Sequence, residues 1–69
     1  MKHKEKELIA GEVYYLDRMK EDWAIFKEHD AKGNVFFTPL EGSSYLVNEE
    51  DNTIGFAGIS GREWLVKED

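Results

Sequence analysis

The chain has no cysteine among its 69 residues, so neither a disulfide nor a thiolate metal site can hold it together. It has a single proline, Pro39, and no apolar run near the ~20 residues that a membrane-spanning helix requires. The apolar stretch Leu8-Ile9-Ala10 after the charged opening is also shorter than the apolar centre of a signal peptide, about 7–15 residues. A soluble cytoplasmic protein is the expectation. Basic residues are scarce in the second half. Residues 37–69 carry two (Arg62 and Lys67) against seven acids: Glu41, Glu49, Glu50, Asp51, Glu63, Glu68 and Asp69. Nucleic-acid binding relies on Lys and Arg neutralising phosphates, so a net charge of −6 argues against direct binding of DNA or RNA.

Catalytic patterns are equally sparse. Gly58-Ile59-Ser60-Gly61-Arg62 does not fit the nucleophile elbow, and Ser43 and Ser44 sit in a glycine-bounded turn with no base in view. His29, between Glu28 and Asp30, reads as a solvated turn histidine, because sequence neighbours on a strand point to opposite sides. His3 falls in the charged opening and carries no expected role. Asn48-Glu49-Glu50-Asp51-Asn52 concentrates oxygen ligands without the spacing of a calcium loop, so a solvated acidic turn is expected. No glycine-rich phosphate loop occurs. Neither a cofactor nor a metal is implied, and a non-enzymatic protein is the expectation.

What the chain does have is a beat of aromatic and β-branched runs. These are Val13-Tyr14-Tyr15-Leu16, Trp23-Ala24-Ile25-Phe26, Val35-Phe36-Phe37, Tyr45-Leu46-Val47, Thr53-Ile54-Gly55-Phe56 and Trp64-Leu65-Val66. Their centres lie roughly ten residues apart, the spacing of strands in a small antiparallel meander or barrel. Turn formers separate them, among them Gly33-Asn34, suited to a hairpin, and Glu50-Asp51-Asn52. Pro39 should end the Val35–Thr38 strand or lie at a sheet edge. Gly55 inside a strand marks a bulge or a close backbone approach. The expected fold is all-β: a small curved antiparallel sheet or SH3-like barrel of five to six short strands. The alternative is α+β, because Ile9, Val13, Leu16, Met19, Trp23 and Phe26 also recur at helical spacing. An N-terminal helix would then cover a three- to four-stranded meander. Residues 1–7 read as a flexible charged leader and 8–69 as one small domain.

The size and strand rhythm are similar to those of SH3-like barrels. The Ala-Leu-Tyr-Asp-Tyr and paired-Trp patterns of peptide-binding SH3 domains are missing, so a proline-rich ligand is not implied.

Adjacent apolar residues on a strand face opposite ways: Tyr14 against Tyr15, Ile25 against Phe26, Phe36 against Phe37. One set fills a core; the other needs a cover, which could be a short helix, a second subunit or a ligand. A domain this small buries only ~60% of its unfolded surface, so a homodimer is a further option for stability. The first functional expectation is therefore a protein-interaction module acting as adaptor, regulator or inhibitor. Its expected contacts are Tyr14, Trp23, Phe36, Tyr45 and Trp64, since Trp and Tyr often anchor interfaces. Core packing competes for each, and is the preferred role for Trp64 and Phe36. The second expectation is an acidic mimic of nucleic acid that blocks a DNA- or RNA-binding protein through Glu41, Glu49, Glu50, Asp51 and Glu63, with Glu68 and Asp69 adding to the field. Either way the partner is another protein.

Overall fold

The structure, a computed structural model, describes residues 1–40, 45, 47–58 and 61–68. Six strands carry it: β1 (Lys2–Lys4), β2 (Val13–Tyr15), β3 (Trp23–His29), β4 (Val35–Pro39), β5 (Ile54–Phe56) and β6 (Glu63–Leu65). They form two antiparallel sheets, one in the order β2-β3-β4-β5 and the other β1-β6. The sheets meet where Tyr14 bridges Val66 and the Lys67 N–H donates to the Val13 carbonyl at 2.9 Å. The last strand thus returns beside the first strand of the meander, as partial closure of a small barrel requires. The fold is all-β.

Residues 8–30 are strands and turns, not a helix. The Val-Tyr-Tyr and Ile-Phe groups favour a pleated surface. The β2–β3 ladder pairs Val13 with Ile25, Tyr14 with Ala24 and Tyr15 with Trp23. Asp17 closes the loop between them: its Oδ1 accepts the N–H of Glu21 at 3.0 Å and of Asp22 at 3.3 Å. The β3–β4 hairpin turns at Asp30–Asn34. Gly33, at φ +86°, takes the left-handed conformation there. The Asp30 carboxylate accepts the backbone N–H groups of Lys32 and Asn34, each at 2.9 Å, and the Asn34 side-chain amide at 2.9 Å.

Pairing in β3–β4 slips between Phe26 and Glu28, a bulge that adds twist. Pro39 is the last residue of β4, and Gly55 provides close approach rather than a bulge: a Cβ there would meet the Phe36 ring at 3.1 Å. The Glu50-Asp51-Asn52 turn forms as the sequence suggests, with Asn52 at φ +53° and the Thr53 hydroxyl donating to Asp51 at 2.7 Å.

Alternation decides the core. Tyr14, Leu16, Ala24, Phe26, Val35, Phe37, Ile54 and Trp64 point inward with Leu8. Phe37 is their centre, with ring centroids of Trp64 at 4.9 Å, Phe26 at 5.4 Å, Phe56 at 5.9 Å and Tyr14 at 6.3 Å. Such pairs add about 0.5–1.5 kcal/mol each beyond their area burial.

Two sequence expectations need correction. Residues 1–7 are not a loose leader: Lys2, His3 and Lys4 pair with Leu65, Trp64 and Glu63, and a 3-10 turn follows at Glu5–Glu7. Lys-His-Lys has the period-two pattern of a strand, but with a polar ring on its inward side, where hydrophobicity gives no signal. Nor is Tyr45-Leu46-Val47 a strand as far as it is described. Tyr45 lies in a bend and Val47 in no strand; only Asn48 bridges to Thr53, and Leu46 lies outside the described residues.

Candidate binding groove

The five aromatic residues expected to make contacts do not converge. Tyr14 and Trp64 are core, 0% and 1% exposed. The Tyr14 hydroxyl is used internally, accepting the Ile9 N–H at 3.0 Å and lying 2.7 Å from His3 Nδ1. Burial raises its pKa above the ordinary tyrosine value; the Ile9 hydrogen bond opposes this, and the charge of Glu12 adds to it. The indole N–H of Trp64 is buried without an acceptor among the described residues. Phe36 is half-buried over Gly55, in a shallow depression of about 290 Å³. Tyr45 is exposed, its ring 5.7 Å from that of Phe56. Trp23 lies half-buried on the outer face of β3, with the Lys67 ammonium 5.1 Å from its ring centroid.

The outward aromatic of β2 is therefore Tyr15, opposite Trp23 in the ladder. Val13, Ile25 and Thr38 continue that face across β2, β3 and β4 in one register row. The sequence pattern separates Tyr14 from Tyr15 but carries no mark of which turns inward, because the two neighbours are chemically identical.

Beside this face runs a groove of about 890 Å³ between the β2–β3 loop and the β1–β6 pair. Lys2, Arg18, Lys20 and Arg62 line it along with Asp17 and Glu63, and Tyr15 and Leu65 supply its apolar wall. Asp17, by binding its own loop, sets where Arg18 and Lys20 stand. Lys20 takes a left-handed conformation at φ 60° with its ammonium 5.9 Å from the Tyr15 ring centroid. The Arg62 guanidinium lies 3.5 Å from the Trp64 ring centroid and donates to the Leu16 carbonyl at 2.9 Å. Burial lowers the Arg62 pKa, Tyr45 and Glu5 oppose that, and the nearby charge of Arg18 adds to the lowering. The sequence marks Arg62 only as one of two cations in residues 37–69, with no sign of its place beside Trp64.

Glu49, Glu50 and Asp51 share the exposed turn before β5, while Glu63 lies in β6 opposite Lys4 and lines the groove with four cations. Glu41, Asp69 and the loop serines Ser43, Ser44 and Ser60 lie outside the described residues. Each histidine is tied to the fold, His3 at Tyr14 and His29 through Nε2 to the Glu5 carbonyl at 2.7 Å. Among the described residues no cluster of three or more His, Asp or Glu forms that could hold a metal, and no helix is long and apolar enough to cross a membrane.

Compared with models of protein families, with curated proteins and with solved structures, the chain matches none.

Proposed function

We propose that this chain is a non-enzymatic protein-interaction module whose contact surface is the outer face of β2 and β3, centred on Tyr15 and Trp23. The observation that carries this reading is the pairing of those two rings in the ladder, on the face opposite the core. Val13 and Ile25 extend the apolar strip. Large, stiff aromatics with polar tips are the residues that most often anchor interfaces, and they lose little side-chain entropy on binding. An adaptor, regulator or inhibitor role suits a small domain with such a face.

The test is capture of a partner from lysate of the source organism, nuclease-treated and eluted with stepped salt, by the unaltered chain and by Trp23→Ser and Tyr15→Ser variants. The reading expects a partner that survives high salt and is lost with either substitution while circular dichroism stays unchanged. Retention of that partner by both folded variants removes this face from the interaction. Elution of a nucleic-acid-binding protein at low salt, abolished by reversing Glu49, Glu50 and Asp51 to lysine, would instead support the acidic-mimic alternative.

A further inference from the structure

The groove beside the aromatic face carries a charge opposite to that of the chain as a whole. The protein has a net charge of −6, yet the groove presents four cations against two carboxylates. One of those carboxylates, Asp17, has its Oδ1 turned to the N–H groups of its own loop. Around Arg62, Arg18 adds a repelling charge and Glu5 an attracting one. Among the described residues the groove lining thus keeps more cations than carboxylates.

We propose that this groove binds an acidic segment of the partner protein, its carboxylates meeting Lys2, Arg18, Lys20 and Arg62 and its apolar side chains resting on Tyr15 and Leu65. The proposal rests on the interaction-module reading and adds the chemistry of the partner. Arg62 is preorganised for such a role. Its guanidinium is fixed between the Trp64 ring and the Leu16 carbonyl, so little side-chain freedom remains to be lost on binding. Arg18 and Arg62 both line the groove and repel each other, and an incoming carboxylate relieves that repulsion. The groove volume, about 890 Å³, falls within the range of ligand sites, about 300–1,000 Å³.

Charge also selects among anionic partners. A polyanion running past the groove would meet Glu21 and Asp22 beside the loop and the net negative field beyond it. A short peptide carrying a few carboxylates around an apolar residue satisfies the four cations without that penalty. An extended acidic peptide is thus favoured over nucleic acid.

The experiment is an NMR titration of the isotopically labelled full chain with the peptide Glu-Glu-Leu-Glu-Glu, blocked at both ends. Inorganic phosphate and a short oligothymidine serve as separate probes. The expected result is peptide-induced shifts in the amides of Tyr15, Arg18, Lys20, Arg62 and Leu65, weakening as salt rises. Replacing Arg18 and Lys20 together by glutamate should lower the affinity about tenfold or more. The milder Arg18→Gln, Lys20→Gln pair should lower it less while leaving the amide spectrum of the core unchanged. The proposal is overturned by absence of these shifts, by tighter binding of oligothymidine or phosphate at the same amides, or by full affinity in the substituted chains. Partner capture separates this failure from failure of the underlying reading. Loss with Trp23→Ser but not with Arg18→Glu, Lys20→Glu leaves the interaction module standing without the acidic segment. Retention in both cases rejects both ideas.

Discussion

The hydroxyl of Tyr14 and Nδ1 of His3 lie 2.7 Å apart, joining the core to the first strand of the chain. The same oxygen accepts the Ile9 N–H at 3.0 Å, which leaves its own proton available to the imidazole. Residues 3 and 9 are thereby held to one buried atom. Tyr14→Phe keeps the ring and removes that atom, stranding one donor and one acceptor. The expected loss of stability is about 1–3 kcal/mol in denaturant unfolding. Amide exchange should rise selectively over residues 3–9. An unchanged midpoint with unchanged exchange would show that the N-terminal segment is held by its ladder to β6 alone.

The same hydroxyl sets an alkaline limit. Burial holds the Tyr14 pKa above the ordinary 10.0, so the folded state favours the neutral phenol. A pKa raised on folding contributes stability that is fully present below pH 10.0 and is lost as pH rises through the higher folded value. Unfolding measured from neutral pH upward should steepen past that point in the unaltered chain. The Tyr14→Phe variant starts lower and should show a flatter limb. Parallel limbs would assign the alkaline loss to other groups.

Asp30 sets the acid limit. Desolvation pushes its pKa up, but the Asn34 side chain, the backbone N–H groups of Asn34 and Lys32, and the Lys32 charge together outweigh that and hold it below 3.8. A depressed carboxyl contributes stability that is present above pH 3.8 and lost as pH falls through the lower folded value. Asp30→Asn keeps an acceptor for the turn but cannot titrate. It should reduce the acid dependence of stability in that window, read by thermal unfolding at stepped pH. Identical acid dependence in both chains would exclude Asp30 as a source.

These contacts mark the boundary of what the sequence made legible. Five of the six apolar runs became strands close to where alternation puts them, because β-branched and aromatic side chains fit a pleated surface whatever their partners. Thr53–Phe56 is one of these, and Trp64-Leu65-Val66 starts its strand one residue early, at Glu63. The Val13 run yielded only three strand residues before Asp17 turned the chain. Pro39 and Gly33 acted through constraints that belong to single residues, so each was readable in isolation. The first strand was not, since its only inward side chain is His3 and its stability comes from Tyr14 and Trp64, far along the chain. The groove was hidden for a similar reason. Lys2, Arg18, Lys20 and Arg62 are scattered in sequence and meet only through the β1–β6 pairing and the Asp17 loop. Charge counted by halves of the chain gave the right totals and the wrong neighbourhoods.

Gly58 shows a spacing constraint that only packing reveals. A Cβ at this residue would overlap the carbonyl oxygen of Gly33 and stand 2.9 Å from its carbon, both backbone atoms of the β3–β4 turn. The Gly58 N–H also donates to the Asn34 side chain at 3.2 Å. Gly58→Ala must push the two segments apart, an overpacking cost of about 1–3 kcal/mol. Loss of the Asn34 contact should follow, visible as faster exchange of the Gly58 amide. A substitution without cost in chemical denaturation would mean that the segment beyond β5 shifts without effect on the hairpin.

Lys20 offers the cleanest division between stability and binding. At φ 60° it occupies the left-handed region, which costs an L-residue about 1–2 kcal/mol. Glycine adopts that conformation without the steric term but loses more chain entropy on folding, about 0.5–1 kcal/mol. Lys20→Gly should therefore leave stability unchanged or raise it by up to about 1.5 kcal/mol. The same change removes one of the four groove cations and its contact with Tyr15. Affinity for the Glu-Glu-Leu-Glu-Glu peptide should then fall in a chain that is no less stable. That combination assigns the lysine at this strained position to binding. A stabilised chain that binds the peptide as well as before would mean that Lys20 stands clear of the ligand.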